Sequence, residues 1–255
     1  MTPYKVVIPA RYASARLPGK PLLPLAGKPM ILHVCERAAS AGAEEVLVAT
    51  DDDRILQVVE SAGFVALMTG HHPSGTDRLA EVVALRGWGA DTILVNLQGD
   101  EPLMPAVLLR QVAENLANHG QASIATLATT ISDRETLFDP HAVKVVADAS
   151  GFALYFSRAP IPWHRDEFVI DHEHLPGSTP FLRHVGLYAY RAGFLQRFVQ
   201  WPPAQLELAE SLEQLRALAY GEKIHVGVAD QPPGHGVDTA DDLARVELML
   251  QGQSF

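Results

Sequence analysis

Residues 5–29 read KVVIPARYASARLPGKPLLPLAGKP. Lys5 to Pro9 is an apolar run long enough for one buried strand and too short for a helix. Directly behind it, Arg11, Arg16 and Lys20 stand among small and turn-forming residues: Ala13, Ser14, Ala15, Pro18 and Gly19. A buried strand that opens into a cationic loop and then a helix is a common way to hold phosphates. Small residues let backbone N–H groups come close, and guanidinium and ammonium groups supply charge-assisted hydrogen bonds to phosphate oxygens. Any one of these cations alone would read as a solvated surface charge; three behind the first strand read as a phosphate site. Neither Gly19-Lys20 nor Gly27-Lys28 is followed by Ser or Thr, so the loop is not a Walker A motif. It is not GxGxxG either, which argues against a dinucleotide cofactor.

The pattern beyond the loop alternates. Helical spacing runs from Met30 to Ser40 and stops at Gly42; Glu45 to Ala49 is a second strand. Thr50 and Asp51 offer an N-cap for a helix that ends at Gly63, Phe64 to Met68 is a third strand, and Asp77 to Arg86 is an amphipathic helix. Thr92 to Leu97 is the most strand-like run and leads at once into Gln98-Gly99-Asp100-Glu101-Pro102. A helix (Ala106 to Asn118) and a strand (Ser123 to Thr130) follow. This rhythm predicts an α/β fold, a mostly parallel sheet with helices on both faces, whose ligands sit beyond the carboxyl ends of the strands. From about Phe138 the rhythm changes: short strands at Val143–Ala147 and Ala153–Phe156, a polar loop between Pro160 and Pro180, a strand Arg183–Tyr190 and a helix Leu206–Tyr220. These read as an elaboration before the sheet resumes at Ile224–Val228, with a last helix at Thr239–Leu250 capped by Asp238 or Thr239.

With 255 residues, 47% of them hydrophobic, the chain can bury a full core as one domain. Its formal net charge of −10 argues against a nucleic-acid or anionic-membrane partner and makes the local positive charge behind the first strand an anomaly. No apolar run reaches membrane-spanning length and no secretory signal pattern opens the chain, so a cytoplasmic location is expected. The single cysteine, Cys35, lies in an apolar helical pattern and reads as a small core residue.

Asp100, on a loop just past a buried strand and facing a phosphate loop, is well placed to hold Mg2+, because hard cations choose carboxylate oxygens and keep part of their shell for phosphates. Asp238 stands before the last helix, where composition favours a capping role, although a capping carboxylate can still offer an oxygen to a metal. Arg158 and His184 are candidates for an anionic co-substrate, Arg158 as a bidentate clamp, or else structural hydrogen-bonders. His71, His72, His172 and His174 lack zinc-ligand spacing and read as solvated polar residues. Glu207, Glu210 and Glu213 recur every third residue, the pattern of a wet helix face.

IPARYASARLPGKPL closely resembles the opening motif of the 3-deoxy-manno-octulosonate (Kdo) cytidylyltransferases, or CMP-Kdo synthetases. The resemblance continues through SGTDRLAE (74–81), VNLQGDEP (95–102), AVKVV (142–146), ALYFSRAPIPW (153–163), LRHVGLYAYR (182–191), LEQLR (212–216), GEKIHV and GVDTADDL. It implies a Rossmann-like nucleotidyltransferase fold in one domain over 1–255, with a sugar-binding and dimerisation region inserted at about 150–222, and a homodimer. It implies CTP and Kdo as substrates, CMP-Kdo and pyrophosphate as products, and a role in lipopolysaccharide biosynthesis. Arg11, Arg16 and Lys20 would then take the triphosphate and nucleotide, Arg16 and Lys20 with a catalytic share. Ser74 and Arg78 would lie near the cytidine, and Gln98, Arg158, His184, Tyr188 and Glu213 around the sugar. Asp100 and Asp238 would be catalytic and would hold Mg2+, which raises Asp238 above a cap. The segment Asp166–Thr179 departs from the family pattern. A glycosyltransferase of related fold would show a D-x-D pair where this chain has Asp100-Glu101, and a non-catalytic nucleotide sensor would not need the second carboxylate at Asp238.

Overall fold

The apolar run before the cationic loop forms strand β1 (Lys5–Ala10), and its alternation serves two cores at once. Val6 and Ile8 face one side of the sheet and Val7 the other, all without solvent exposure. The computed structural model describes residues 2–13, 17–170 and 174–252. A small hairpin of β2 (Pro24–Leu25) and β3 (Lys28–Pro29) leads into helix α1 (Met30–Ala39), followed by β4 (Glu45–Thr50) and α2 (Asp53–Ser61). The cap of α2 is Asp52, one residue beyond the expected pair: its carboxylate accepts the Arg54 N–H at 3.0 Å. Then come β5 (Val65–Met68), α3 (Gly75–Arg86), β6 (Ile93–Asn96), α4 (Ala106–Asn118) and β7 (Ile124–Thr130), close to the predicted bounds.

β1 pairs in parallel with β4 on one side and β6 on the other, and β5 extends the sheet beyond β4. The chain leaves β1 toward β4 and β5, then returns to add β6 on the opposite side. The crevice between the carboxyl ends of β1 and β6 is therefore the point where strand order reverses, the place where open α/β sheets bind ligands. Helices α1, α2 and α4 pack on one face with Val34, Ile55 and Leu108; α3 packs on the other with Leu79 and Val82.

The stretch expected as an elaboration divides. Helix α5 (Arg134–Phe138), the antiparallel pair β8 (Lys144–Ala147) and β9 (Ala153–Ser157), and the short α6 (Glu167–Ile170) sit at its start. Strand β10 (Leu182–Arg191), however, enters the main sheet between β6 and β7, antiparallel to both. Helix α7 (Ala192–Phe198) follows it and buries Phe194, Leu195 and Phe198 on the α3 face. The single helix expected from Leu206 to Tyr220 is two, α8 (Gln205–Glu210) and α9 (Gln214–Ala219), separated where Ser211 adopts a left-handed backbone with φ 51°. β11 (Ile224–Val228) pairs in parallel with β7, and α10 (Ala240–Leu250) is the last element among the described residues. α10 docks on the hairpin through a small separate core of Leu25, Met30, Val237 and Val246.

Cys35 is fully buried, and desolvation pushes its thiol up to about 12, so it is an inert core residue as expected. Among the described residues, no helix is long and apolar enough to cross a membrane. Ile8, at the centre of β1 with no exposure, is the most direct test of this arrangement. Ile8→Ala is expected to cost about 2–5 kcal/mol of unfolding free energy in urea titrations, and a loss under about 1 kcal/mol would show that β1 is not central to the core.

Candidate active site

Three segments far apart in the chain meet at the crevice between β1 and β6. Lys20 follows the loop after β1 in a single 3-10 turn, Lys20–Leu22, closed by the Leu22 N–H on the Gly19 carbonyl at 2.8 Å. Its ammonium donates to Asp100 Oδ2 at 2.6 Å, to the Val237 carbonyl at 2.9 Å and to Asp238 Oδ1 at 3.2 Å. Asp100 lies on the loop after β6, and Asp238 on the loop between β11 and α10. The cap before α10 is Thr239, whose hydroxyl accepts the Asp242 N–H at 3.2 Å. Asp238 is therefore not the cap, and its carboxylate lies against Lys20 instead.

The two acidic loops are locked together by backbone. The Val237 N–H donates to the Asp100 carbonyl at 2.9 Å. A Cβ on Gly234 would stand 2.3 Å from the Leu103 carbonyl oxygen, and one on Gly236 would stand 2.8 Å from Glu101 Oε1. Only glycine lets the Gly234-His235-Gly236 stretch lie this close, and that closeness brings Asp238 opposite Asp100. Glu101 is wedged beneath the pair. Burial, then the neighbouring Asp100 and Asp238 carboxylates, push its carboxyl up to about 8.

A cavity of about 290 Å³ runs from this point along the ends of β1 and β6. Arg11, Lys20, Asp100 and Asp238 line it together with Ser74, Arg78 and Gln98. Ser74 caps α3 by accepting the Asp77 N–H at 3.2 Å. Arg78 is buried and donates to Asp51 Oδ2 at 3.0 Å and to the Thr69 hydroxyl. Burial alone would raise the Asp51 carboxyl; the Arg78 guanidinium outweighs it and holds the group below its ordinary value. Arg16 lies outside the described residues, as does His172.

The residues expected around the sugar do not share one cavity. Gln98 lines the first; Tyr188 and Glu213 line a second, of about 150 Å³, with Thr76, Phe194 and Phe198. The Thr76 hydroxyl donates to Glu213 Oε2 at 2.7 Å; burial raises the Glu213 carboxyl, with hydrogen bonds from Thr76 and Ser74 pulling the other way. His184 packs against Tyr188 and Phe156, with its Nε2 2.9 Å from the Thr126 hydroxyl. Desolvation pushes its imidazole down to about 3, so it meets an anion as a neutral ring. Arg158 lines neither cavity. Its Nε donates to the Glu210 carbonyl at 2.6 Å and its Nη1 to the Pro140 carbonyl at 2.9 Å, the structural alternative of the two open in the sequence.

Two expectations are corrected. Glu207, Glu210 and Glu213 are not a wet face: Glu207 is buried against Arg216, Glu210 accepts from the Ser157 hydroxyl at 2.6 Å and the Arg158 N–H at 2.9 Å, and Glu213 faces a pocket. Arg216 on α9 draws Glu207 inward, and Ser157 and Arg158 do the same for Glu210. His72 is likewise not merely solvated: it lines the first cavity, with Nε2 2.5 Å from Glu81 Oε2, and Glu81 also accepts the Gly70 N–H at 2.9 Å. His71 fits the expectation, exposed beside Asp51. Sequence reading also passed over Thr76 and the Gly234–Gly236 pair. The signal for the glycines was present, two of them bracketing one residue just ahead of a carboxylate.

A profile of the cytidylyltransferase family matches residues 5–224. The chain belongs to the cytidylyltransferase family. A solved CMP:2-keto-3-deoxy-manno-octonic acid synthetase complexed with CTP is 44% identical, with a TM-score of 0.89, covering 99% of this chain and all of that one. A cytidylyltransferase from Leptospira borgpetersenii serovar Hardjo-bovis (strain JB197) shares the fold at a TM-score of 0.62 and 16% identity, over 99% of this chain and 87% of its own. The protein is thus a nucleotidyltransferase with the fold of a CMP-Kdo synthetase.

Two measurements test the site. Gly234→Ala should push the 229–238 loop off Leu103 and lower nucleotidyl transfer at least about tenfold while leaving the far-ultraviolet dichroism unchanged, since the added Cβ has no room. Unchanged transfer would mean that the contact does not position Asp238. His184 protonates near 6.5 in an unfolded chain and near 3 when folded, so its contribution is intact above 6.5 and is lost as the pH falls toward 3. Urea midpoints at pH 7.5 and 4.5 should therefore fall less in His184→Asn than in the parent; equal falls would count against a neutral, desolvated ring.

Proposed function

We propose that the protein transfers CMP from CTP to the anomeric hydroxyl of Kdo, giving CMP-Kdo and pyrophosphate. The observation that carries this reading is the meeting of Lys20, Asp100 and Asp238 at the strand-order reversal, within a chain 44% identical over its length to a CMP-Kdo synthetase. The sugar hydroxyl attacks the α-phosphorus in line; its proton leaves to solvent or a nearby base, and the bond to the bridging oxygen breaks to release pyrophosphate. Such chemistry is mostly positioning and charge stabilisation.

Arg11, Arg16 and Lys20 bind the triphosphate, and Lys20 places a fixed positive charge where negative charge builds. Ser74 and Arg78 wall the nucleoside end of the cavity, and Gln98 stands between nucleotide and sugar. Tyr188 and Glu213, with His184 packed against Tyr188, form the sugar side, and Arg158 would have to leave the Glu210 and Pro140 carbonyls to join them. Asp100 and Asp238 suit Mg2+: two hard carboxylate oxygens already converge on a single cation, the Lys20 ammonium, and leave the remaining positions to phosphate and water. When bound, that ion supplies charge neutralisation on the phosphates and a lowered pKa for the sugar hydroxyl.

We extend the reading to a cytoplasmic homodimer serving lipopolysaccharide biosynthesis. Exposed Leu154 on the edge strand β9 and exposed Leu208 on α8 support a partner surface in the region expected to dimerise. Pyrophosphate release, measured across the four nucleoside triphosphates and several 2-keto sugar acids, should be fastest with CTP and Kdo together. Release that ignores the sugar acid, or that prefers another triphosphate, would overturn the assignment. Asp100→Asn should keep CTP binding while losing at least about a hundredfold in turnover, the scale of one electrostatic stabiliser. Near-parental turnover at saturating Mg2+ would remove Asp100 from the mechanism.

A further inference from the structure

We infer that Lys20 is the built-in counter-ion of the Asp100–Asp238 pair and competes with a divalent cation for the same gap, so that cation and nucleoside triphosphate load together. The inference rests on the cytidylyltransferase reading and adds an order of events to it. An ammonium has three donors and no more. All three are engaged here, by Asp100 Oδ2 at 2.6 Å, the Val237 carbonyl at 2.9 Å and Asp238 Oδ1 at 3.2 Å. In this arrangement Lys20 has no donor to offer a phosphate oxygen. To bind one, it must release at least one of the three acceptors.

The same holds from the cation's side. A Mg2+ that bridges the carboxylates through the same two oxygens, Asp100 Oδ2 and Asp238 Oδ1, must come within about 2.1 Å of each, inside the space the ammonium now holds. Two cations at that separation repel strongly in a partly desolvated site. The lysine side chain is only 12% exposed, whereas Asp100 and Asp238 are 34% and 51% exposed. An ion can therefore reach the carboxylates from solvent, but finds the inner side of the gap held by Lys20.

The release is a small motion. The backbone of Lys20 is fixed by the turn after Gly19, and the ammonium ends a flexible four-carbon stem, so a change of rotamer is enough. A triphosphate offers the ammonium new anionic partners and frees the carboxylates. By linkage, nucleotide then raises cation affinity and cation raises nucleotide affinity by the same factor.

The test reads metal binding in nucleotide-free protein, with Mn2+ alone as probe and free Mn2+ followed by electron paramagnetic resonance. Lys20→Met and Lys20→Gln should each bind Mn2+ at least about tenfold more tightly than the parent, a modest share of the effect of removing a unit charge at this range. Adding Asp100→Asn to Lys20→Met should abolish the gain. In the unmutated protein, the Lys20 ammonium nitrogen resonance should move only at high concentration when Mg2+ is added alone, and at a several-fold lower Mg2+ concentration once CTP is present. Mn2+ affinity unchanged or weaker in both folded variants would overturn the inference, as would a Mg2+ midpoint for Lys20 displacement that CTP does not lower. Pyrophosphate release by the unmutated protein judges the cytidylyltransferase reading separately, so the failure of one is not mistaken for failure of the other.

Discussion

One ammonium group ties the site together, yet it cannot be what holds the site in place. Lys20 reaches Asp100 across 80 residues of sequence and Asp238 across 218. Ordering segments so distant is entropically costly, and an ion pair with a half-exposed carboxylate is worth at most about 1 kcal/mol. The larger contribution comes from beneath. Leu25, Met30, Val237 and Val246 are all essentially without exposure, and each such side chain contributes about 1.5–3 kcal/mol when fully buried. This small core fixes the hairpin next to Lys20 against the segment that carries Asp238. The Val237–Asp100 backbone bond and the tight Gly234–Leu103 approach do the same for the two acidic loops. The charges meet because the apolar packing brings them together.

The first turn of α3 joins the two cavities. Ser74 caps the helix and lines the larger cavity, and Thr76, two residues on, donates to Glu213 in the smaller one. A shift of this turn is felt in both. The larger cavity is the more fully assembled: its cations and carboxylates already converge, while of the residues expected around a sugar Arg158 is engaged by backbone carbonyls and His184 by Thr126.

How much of this was legible in the sequence depended on whether the deciding contact was local. The strand and helix rhythm to Thr130, the buried Cys35 and the place of Asp100 follow from short-range pattern and from the rule that ligands sit past strand ends. β10 was legible as a strand but not as a central one, because pairing between β6 and β7 is set by tertiary contacts that its own residues do not encode. The helix after Ala204 reads as continuous until Ser211 turns left-handed, and a polar residue at that point gives little warning. Across that break Glu207 meets Arg216, while Glu210 is held by Ser157 and Arg158 from a distant stretch of chain, and helix periodicity encodes neither contact. Asp238 shows the same limit: Asp-Thr before a helix is a cap by composition, and only the tertiary fold shows that Thr239 alone performs it. Resemblance supplied what pattern could not for Ser74, Arg78, Tyr188 and Glu213, all of which line one of the two cavities.

The charge balance explains why an acidic protein can place two carboxylates where a polyanion must bind. Around the phosphate end, Asp100 and Asp238 carry one negative charge more than Lys20, and Arg78 is matched by Asp51, so Arg11 supplies the positive charge that balances the described cavity residues named for phosphate or nucleoside. In that balance the cavity is close to neutral and attracts a triphosphate only weakly. On the proposed exchange, a divalent ion that took up the carboxylates would free Lys20 beside Arg11, and the same residues would then form a strongly positive surface. The acidic pair is then not a penalty set against phosphate binding. On the proposed reading it would make high nucleotide affinity conditional on a divalent cation, through one side chain whose three hydrogen bonds are already in use.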